Sequence, residues 1–125
     1  MPSHKQIVEE YFEGFRQRDH GRILACLTDD VIWDLPGYRH LEGKQAFDGE
    51  IENDQFEGSP LLTLDRLIEE GDAVVAIGTG EASHVSGVTH RFAFCDVFTF
   101  VGERIRRVDL PRPTRWRNDV TPQPL

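Results

Sequence analysis

The stretch Thr89–Val108, THRFAFCDVFTFVGERIRRV, decides how the rest of the chain is read. It is rich in aromatic and β-branched residues and broken once, at Val101-Gly102-Glu103, the pattern of two strands joined by a tight turn. Side chains along a strand alternate between faces, so His90, Phe92, Phe94, Asp96, Phe98 and Phe100 share one side. That side is a row of aromatic rings with a single carboxylate in its middle. The other side carries Arg91, Ala93, Cys95, Val97 and Thr99, smaller and mixed in character. An acid set in an apolar wall resists ionisation, because burial penalises the charged form. Asp96 is therefore the first candidate for binding or proton transfer.

Immediately upstream the pattern is also that of strands. Leu61–Glu69 turns at Glu70-Gly71-Asp72 into the long strand Ala73–His84, and Ser86-Gly87 turns into the aromatic strand. Arg104–Leu110 follows, and Pro111 and Pro113 stop the sheet, which gives a four-strand antiparallel meander. Gly78 and Gly80 inside the long strand suit a bend or a close approach. With Val74, Ala76 and Ala82 they make one strand face very small, and small residues opposite large rings leave space for a cavity.

The first half is helical in pattern. Ser3 followed by Gln6 is a capping box, and Ile7, Val8, Tyr11, Phe12 and Phe15 recur at helical spacing. Asp19 caps a second, shorter helix with Ile23, Leu24 and Leu27 inward, ended by Thr28-Asp29-Asp30. Val31–Leu35 is a short strand stopped by Pro36-Gly37, and Tyr38–Gly43 is a loop. Lys44–Asn53 is a third helix with Phe47 and Ile51 inward, and Gly58-Ser59-Pro60 breaks the chain before the sheet. Helices first and strands after place the chain in the α+β class, with a curved antiparallel sheet and three N-terminal helices on its concave side. Residues 1–110 form a single domain, and 111–125 are a polar, proline-bearing tail.

A chain of 125 residues supports one core, and 38% apolar and 29% charged residues are ordinary for a soluble domain. No apolar run is long enough to cross a bilayer, and MPSHKQIVEE has no signal-peptide hydrophobic region, so a cytoplasmic protein with no membrane partner is expected. A formal charge of −8 argues against nucleic acid. Arg104, Arg106, Arg107, Arg112, Arg115 and Arg117 cluster late, and read as solvated strand-edge charge before they read as a site for an acidic ligand. Cys26 and Cys95 lack metal-type spacing and read as free buried thiols; the histidines are scattered, so no metal is expected. There is no phosphate-binding glycine loop and no nucleophile elbow.

In this order, EEYFEGFRQRD, LTDDVIWDLPG and FCDVFTFVGERIRRV resemble the nuclear transport factor 2-like superfamily, and more narrowly its SnoaL-like, ketosteroid-isomerase-like branch, over roughly residues 5–110. The resemblance implies a cone-shaped α+β barrel, a strongly curved sheet wrapped around the helices with an internal pocket, and a homodimer through the outer sheet face. The scaffold carries isomerases, cyclases, dehydratases, epoxide hydrolases and non-enzymes, so the likeness speaks for fold before chemistry. It puts Tyr11 at the isomerases' tyrosine donor and Asp96 at their second donor, a carboxylic acid kept protonated. The isomerases' base position falls on Leu35; the nearest acid, Asp34, is one residue early and so faces the other way, with Trp33 and Leu35 looking in. The epoxide hydrolases' arginine and acid positions fall on Gly78 and Gly80, which argues against that activity, whereas the histidine of the dehydratases brings in His84.

The catalytic candidates are thus Tyr11, Asp34, His84 and Asp96, and the expected pocket lining is Phe15, Trp33, Leu35, Phe47, Phe92, Phe94 and Phe98. Each has a plainer role beside it: Tyr11 and Trp33 as core, Asp34 as a turn cap, His84 as an exposed turn residue, Asp96 as a backbone-bonded structural acid. The function expected is cofactor-independent general acid–base chemistry, of isomerase, cyclase or dehydratase type, on a small apolar carbonyl compound. The alternative is a non-catalytic module that binds a small molecule or dimerises.

Overall fold

A computed structural model describes residues 2–37, 39–51 and 56–110, the last with side chains from Leu61 onward. The capping box forms as read: the Ser3 hydroxyl accepts from the Gln6 N–H at 3.1 Å, and Gln6 Oε1 accepts from the Ser3 N–H at 2.7 Å. It starts α1 (His4–Arg16), which buries Ile7, Val8, Tyr11 and Phe12 along one face. Asp19 accepts from the Arg22 N–H at 3.1 Å and starts α2 (His20–Leu24). Then come β1 (Leu27–Leu35), β2 (Arg39–Glu42), α3 (Lys44–Glu50), β3 (Phe56–Glu70), β4 (Ala73–His84), β5 (Thr89–Val101) and β6 (Arg104–Asp109).

These strands form one curved sheet of six in the order β2-β1-β6-β5-β4-β3, which stays open at β2 and β3. The meander β3–β4–β5–β6 is present as read from the sequence. The sheet is larger than the sequence suggested, and not wholly antiparallel, since β1 runs parallel to β6. Thr28-Asp29-Asp30 does not end a helix: α2 stops at Leu24, and the triplet lies in β1 where its register against β6 slips between Leu27 and Ile32. Leu27 is buried as expected, but as a strand residue paired with Ile105. Arg39–Glu42 is a strand, not a loop, folded back on β1 through Pro36-Gly37, with Gly37 at a φ of 83°.

Helix α3 ends at Glu50, short of the expected Asn53, which lies outside the described residues, as does the tail 111–125. Gly58-Ser59-Pro60 lies within β3 and shows as a gap in its pairing with β4 between Glu57 and Leu61, which an edge strand tolerates. Both cysteines are free, but Cys95 is exposed, because it stands on the outer face of β5. No described helix is long and apolar enough to cross a membrane.

The core lies between α1 and the inner faces of β4, β5 and β6, where Val8, Ile23, Leu27, Val74, Phe98, Ile105 and Val108 are fully buried. Alternation along β5 holds: Asp96, Phe98 and Phe100 are buried and Phe92 and Phe94 half-buried, while Arg91, Ala93, Cys95 and Val101 are exposed. His90 is exposed because the strand outruns the helices at that end. The cavity expected from Gly78 and Gly80 is not left empty by them. A Cβ on Gly78 would stand 2.7 Å from Phe94 Cζ, and one on Gly80 would stand 2.4 Å from Phe92 Cζ. Each glycine is the seat of the ring opposite it.

Candidate functional site

Asp96 lies between Phe94 and Phe98 on the inner face of β5, directly across from Ala76 of β4. Helix α1 crosses this row. The Phe12 ring stacks on Phe94 at 5.3 Å and meets Phe98 edge-on at 5.9 Å. The Tyr11 ring meets Phe98 at 5.1 Å, Phe15 at 5.0 Å and Phe47 at 6.2 Å, all edge-on. Asp96 and Tyr11 thus share one shell of rings.

Asp96 is the one buried charged residue among the described residues, 8% exposed, and no described residue hydrogen-bonds its carboxyl. Desolvation alone pushes its pKa from 3.8 to about 7. Tyr11 is 3% exposed. Burial first, then the neighbouring Asp96 and Cys26, push its hydroxyl well above the ordinary phenol value, and a hydrogen bond with the Trp33 side chain opposes them. The sheet register explains that contact. Trp33 pairs with Leu41 on one side and Val108 on the other, and Val108 pairs with Phe98. Trp33 therefore stands two strands from the ring on which Tyr11 rests, ~10 Å across the sheet.

Asp34 turns the other way, as strand parity requires. Its Oδ1 lies 2.9 Å from His40 Nδ1 and its Oδ2 3.7 Å from Arg107 Nη2, while its backbone carbonyl accepts from the Leu110 N–H at 2.9 Å. His40 Nε2 lies 2.9 Å from Glu42, and the bonds to Asp34 and then Glu42 raise the imidazole pKa. Asp34 is thus an anchor on the outer face and is not brought to Asp96. His84 is on the inner face but eight residues beyond Ala76 along β4, ~26 Å of strand. Its Nδ1 accepts from the Ser86 N–H at 3.0 Å, and its ring meets His90 at 5.7 Å.

Of the expected lining, Phe15, Trp33, Phe47 and Phe94 gather near Tyr11 and Asp96, and Leu35 follows Trp33 on the same face of β1. Phe98 is fully buried and backs the site from behind, and Phe92 lies farther along β5, over Gly80. Phe12 was missed as a site residue, although its place beside Tyr11 on one apolar face was the signal for it. No group of three or more metal-ligating side chains occurs among the described residues.

A family model for the SnoaL-like domain matches residues 8–108. No curated protein matches the sequence. Among solved structures, a nuclear transport factor 2-like protein of unknown function from Burkholderia pseudomallei is 26% identical, covering 88% of this chain and 90% of its own, with a TM-score of 0.76. TerC, crystallised with polyporic acid, is 25% identical over 86% of this chain and 88% of its own, with a TM-score of 0.77. A candidate polyketide cyclase from Xanthomonas campestris shares the fold at a TM-score of 0.80, with 22% identity over 88% of this chain and 90% of its own.

Proposed function

The chain belongs to the SnoaL-like domain family, and from that premise we propose that it is a cofactor-independent acid–base enzyme for a small, mostly apolar carbonyl compound. The reaction class is isomerisation, cyclisation or dehydration. What carries this reading is Asp96: a buried carboxyl with no hydrogen-bond partner among the described residues, titrating near 7, in one aromatic shell with Tyr11. A group that titrates near the working pH both takes and returns a proton efficiently.

The step balances on these two residues. Asp96, as carboxylate, takes a proton from the carbon next to the carbonyl, and the C–H electron pair moves into the carbon–carbon bond as the carbonyl oxygen becomes an enolate. The Tyr11 hydroxyl donates to that oxygen, and the apolar shell strengthens the bond as charge develops. Asp96 then returns the proton to another carbon or to a leaving hydroxyl. Asp34 and His84, the other proton carriers considered, are too badly placed to take part.

Solvent-deuterium uptake by 2-tetralone, followed by proton NMR, tests this. Asp96→Asn is expected to lower the catalysed exchange rate about a hundredfold or more. Wild-type protein that binds 2-tetralone but exchanges it no faster than buffer would instead support the second reading, a non-catalytic binding module. The observation favouring that reading is the outward turn of Asp34, which leaves the isomerases' base position to Leu35.

We also propose a homodimer through the outer face of β3, β4 and β5. Ile68, Val75 and Val97 form one apolar row across it, and Ile77 pairs with Cys95 beside them. Ile68 is 41% exposed. Sedimentation is expected to show a dimer for the wild type and a folded monomer for Ile77→Lys; a wild-type monomer would refute the interface.

A further inference from the structure

We propose that Phe12 is a positioning residue: its ring roofs Asp96, keeps water off the carboxyl, and so sets the pH range over which the acid–base centre works. This rests on the reading of Asp96 as the group that carries the proton.

Phe94, Asp96 and Phe98 leave one face of β5 in a row, ~7 Å apart. An aspartate side chain is much shorter than a phenylalanine, so between two rings the carboxyl stands at the bottom of a well. Ala76, opposite it on β4, is too small to fill that well from the side. Helix α1 closes the top. The Phe12 ring stacks on Phe94 at 5.3 Å and 20°, meets Phe98 at 5.9 Å and 74°, and meets Tyr11 at 5.4 Å. A ring in contact with both flanking rings lies across the interval that Asp96 occupies. Phe12 is itself only 4% exposed, so it covers the acid without being wetted.

Desolvation is the one cause that raises the Asp96 pKa to about 7. From α1 its titratable neighbour is Tyr11, and one turn earlier the Cys26 thiol donates to the Ile7 carbonyl at 3.8 Å. Burial pushes both up, the thiol to about 11, so both are neutral while Asp96 titrates. β4 presents Ala76, and α3 presents Phe47 to Tyr11. Arg107 and Asp109 of β6 pair with Thr99 and Val97, which belong to the outer face. With no charge among the described residues acting on the carboxyl, dryness alone holds its proton. Removing the Phe12 ring would leave a void with a carboxyl in its wall, where a water molecule finds a partner. Hydrated, the acid ionises at lower pH.

Carbon-13 NMR of the ligand-free protein reads the Asp96 carboxyl directly, its signal assigned by its loss in Asp96→Asn. Phe12→Leu, Phe12→Val and Phe12→Ala remove progressively more of the roof. The midpoint is expected to fall in that order from about 7, with the dissociation constant rising about tenfold or more in Phe12→Ala. If Phe12→Ala does not fold, Phe12→Val carries the test. Phe100→Val is the control, since that ring is as deeply buried on the same face of β5 but stacks on His4. A midpoint that stays in place across the Phe12 series, or that falls as far in Phe100→Val, overturns the proposal. Exchange of 2-tetralone adds a kinetic reading. Its rate rises as Asp96 ionises, so in Phe12→Val the rise is expected at lower pH, to a plateau lowered about threefold by the weaker base. A wild-type Asp96 that titrates near 7 and responds to Phe12, in a protein that exchanges no 2-tetralone, would remove the enzyme and keep the roof. Exchange whose pH range ignores Phe12 would do the reverse.

Discussion

Replacing Asp96 with asparagine is expected to stabilise the protein at pH 8 relative to pH 4 by about 4 kcal/mol, compared with the wild type over the same range. In the fold the carboxyl titrates at about 7 instead of 3.8. Between those values the native state holds a proton that the unfolded chain has released. The native state thus binds more protons, so wild-type stability falls as pH rises through that window. Below it both states are protonated and there is no charge to bury; above it the full cost of a buried charge is present. Asparagine has the same shape and no charge at any pH, so its stability curve lacks this slope. Its buried amide brings a pH-independent loss of about 1–3 kcal/mol, which leaves a net gain at pH 8 and a net loss at pH 4. Urea unfolding at a series of pH values reads both. A wild-type minus variant difference that is flat with pH would mean that Asp96 ionises in the fold as it does in water, and the proton-transfer role would fall with it. A destabilising acid in an otherwise apolar shell is what a functional constraint leaves behind, since stability alone selects against it.

How far the sequence announced this arrangement can be followed residue by residue. The inner face of β5 was legible because period-2 alternation from Phe92 to Phe100 admits one reading, and only the exposed end at His90 departs from it. The outward turn of Asp34 was legible from parity once Val31–Leu35 was taken as a strand. Strand β2 was not, because Arg39-His40-Leu41-Glu42 is an exposed edge with no apolar alternation, held by pairing to β1 and by ion pairs such as Arg39 with Glu50. The slip at Thr28-Asp29-Asp30 was hidden for a related reason: a bulge places polar residues where local pattern sees an end. Distances across the sheet were out of reach as well. That His84 lies far from Asp96 follows from Ala76 pairing with Asp96, and that Trp33 stands two strands from Phe98 follows from β1 running parallel to β6 and β6 pairing with β5. Neither pairing leaves a trace in local composition. The meeting of Tyr11 with Asp96 was legible only through the family resemblance, which brought two distant segments together before any geometry did.

The two glycines of β4 make the sharpest case of a pattern correctly noticed and differently used, and they are expected to respond very differently to substitution. Gly78→Ala is expected to cost about 3 kcal/mol or more, and Gly80→Ala about 1 kcal/mol. A Cβ on Gly78 would stand 2.0 Å from the Thr63 carbonyl oxygen and 2.7 Å from Phe94 Cζ. The carbonyl belongs to β3, whose pairing with β4 holds that edge of the sheet, so it can withdraw only by loosening the ladder. The three atoms nearest a Cβ on Gly80 all belong to the Phe92 ring, with Cζ at 2.4 Å. That ring is the free end of a half-buried side chain and can lift by rotating. A second substitution separates the two causes. Phe92→Ala in the Gly80→Ala background is expected to remove most of the clash, whereas Phe94→Ala in the Gly78→Ala background is not, because the carbonyl contact remains. Equal losses for the two glycines in urea unfolding, or full rescue of Gly78→Ala by Phe94→Ala, would show that β3 yields freely there. The consequence reaches the site itself. Phe94 is seated on Gly78 from one side and stacked against Phe12 at 5.3 Å from the other, and it forms the wall next to Asp96. Displacing it would admit water to the carboxyl, and a wetter Asp96 would titrate lower. Gly78→Ala should therefore flatten the pH dependence of stability as well as reduce its size, which a purely edge-strand lesion would not do.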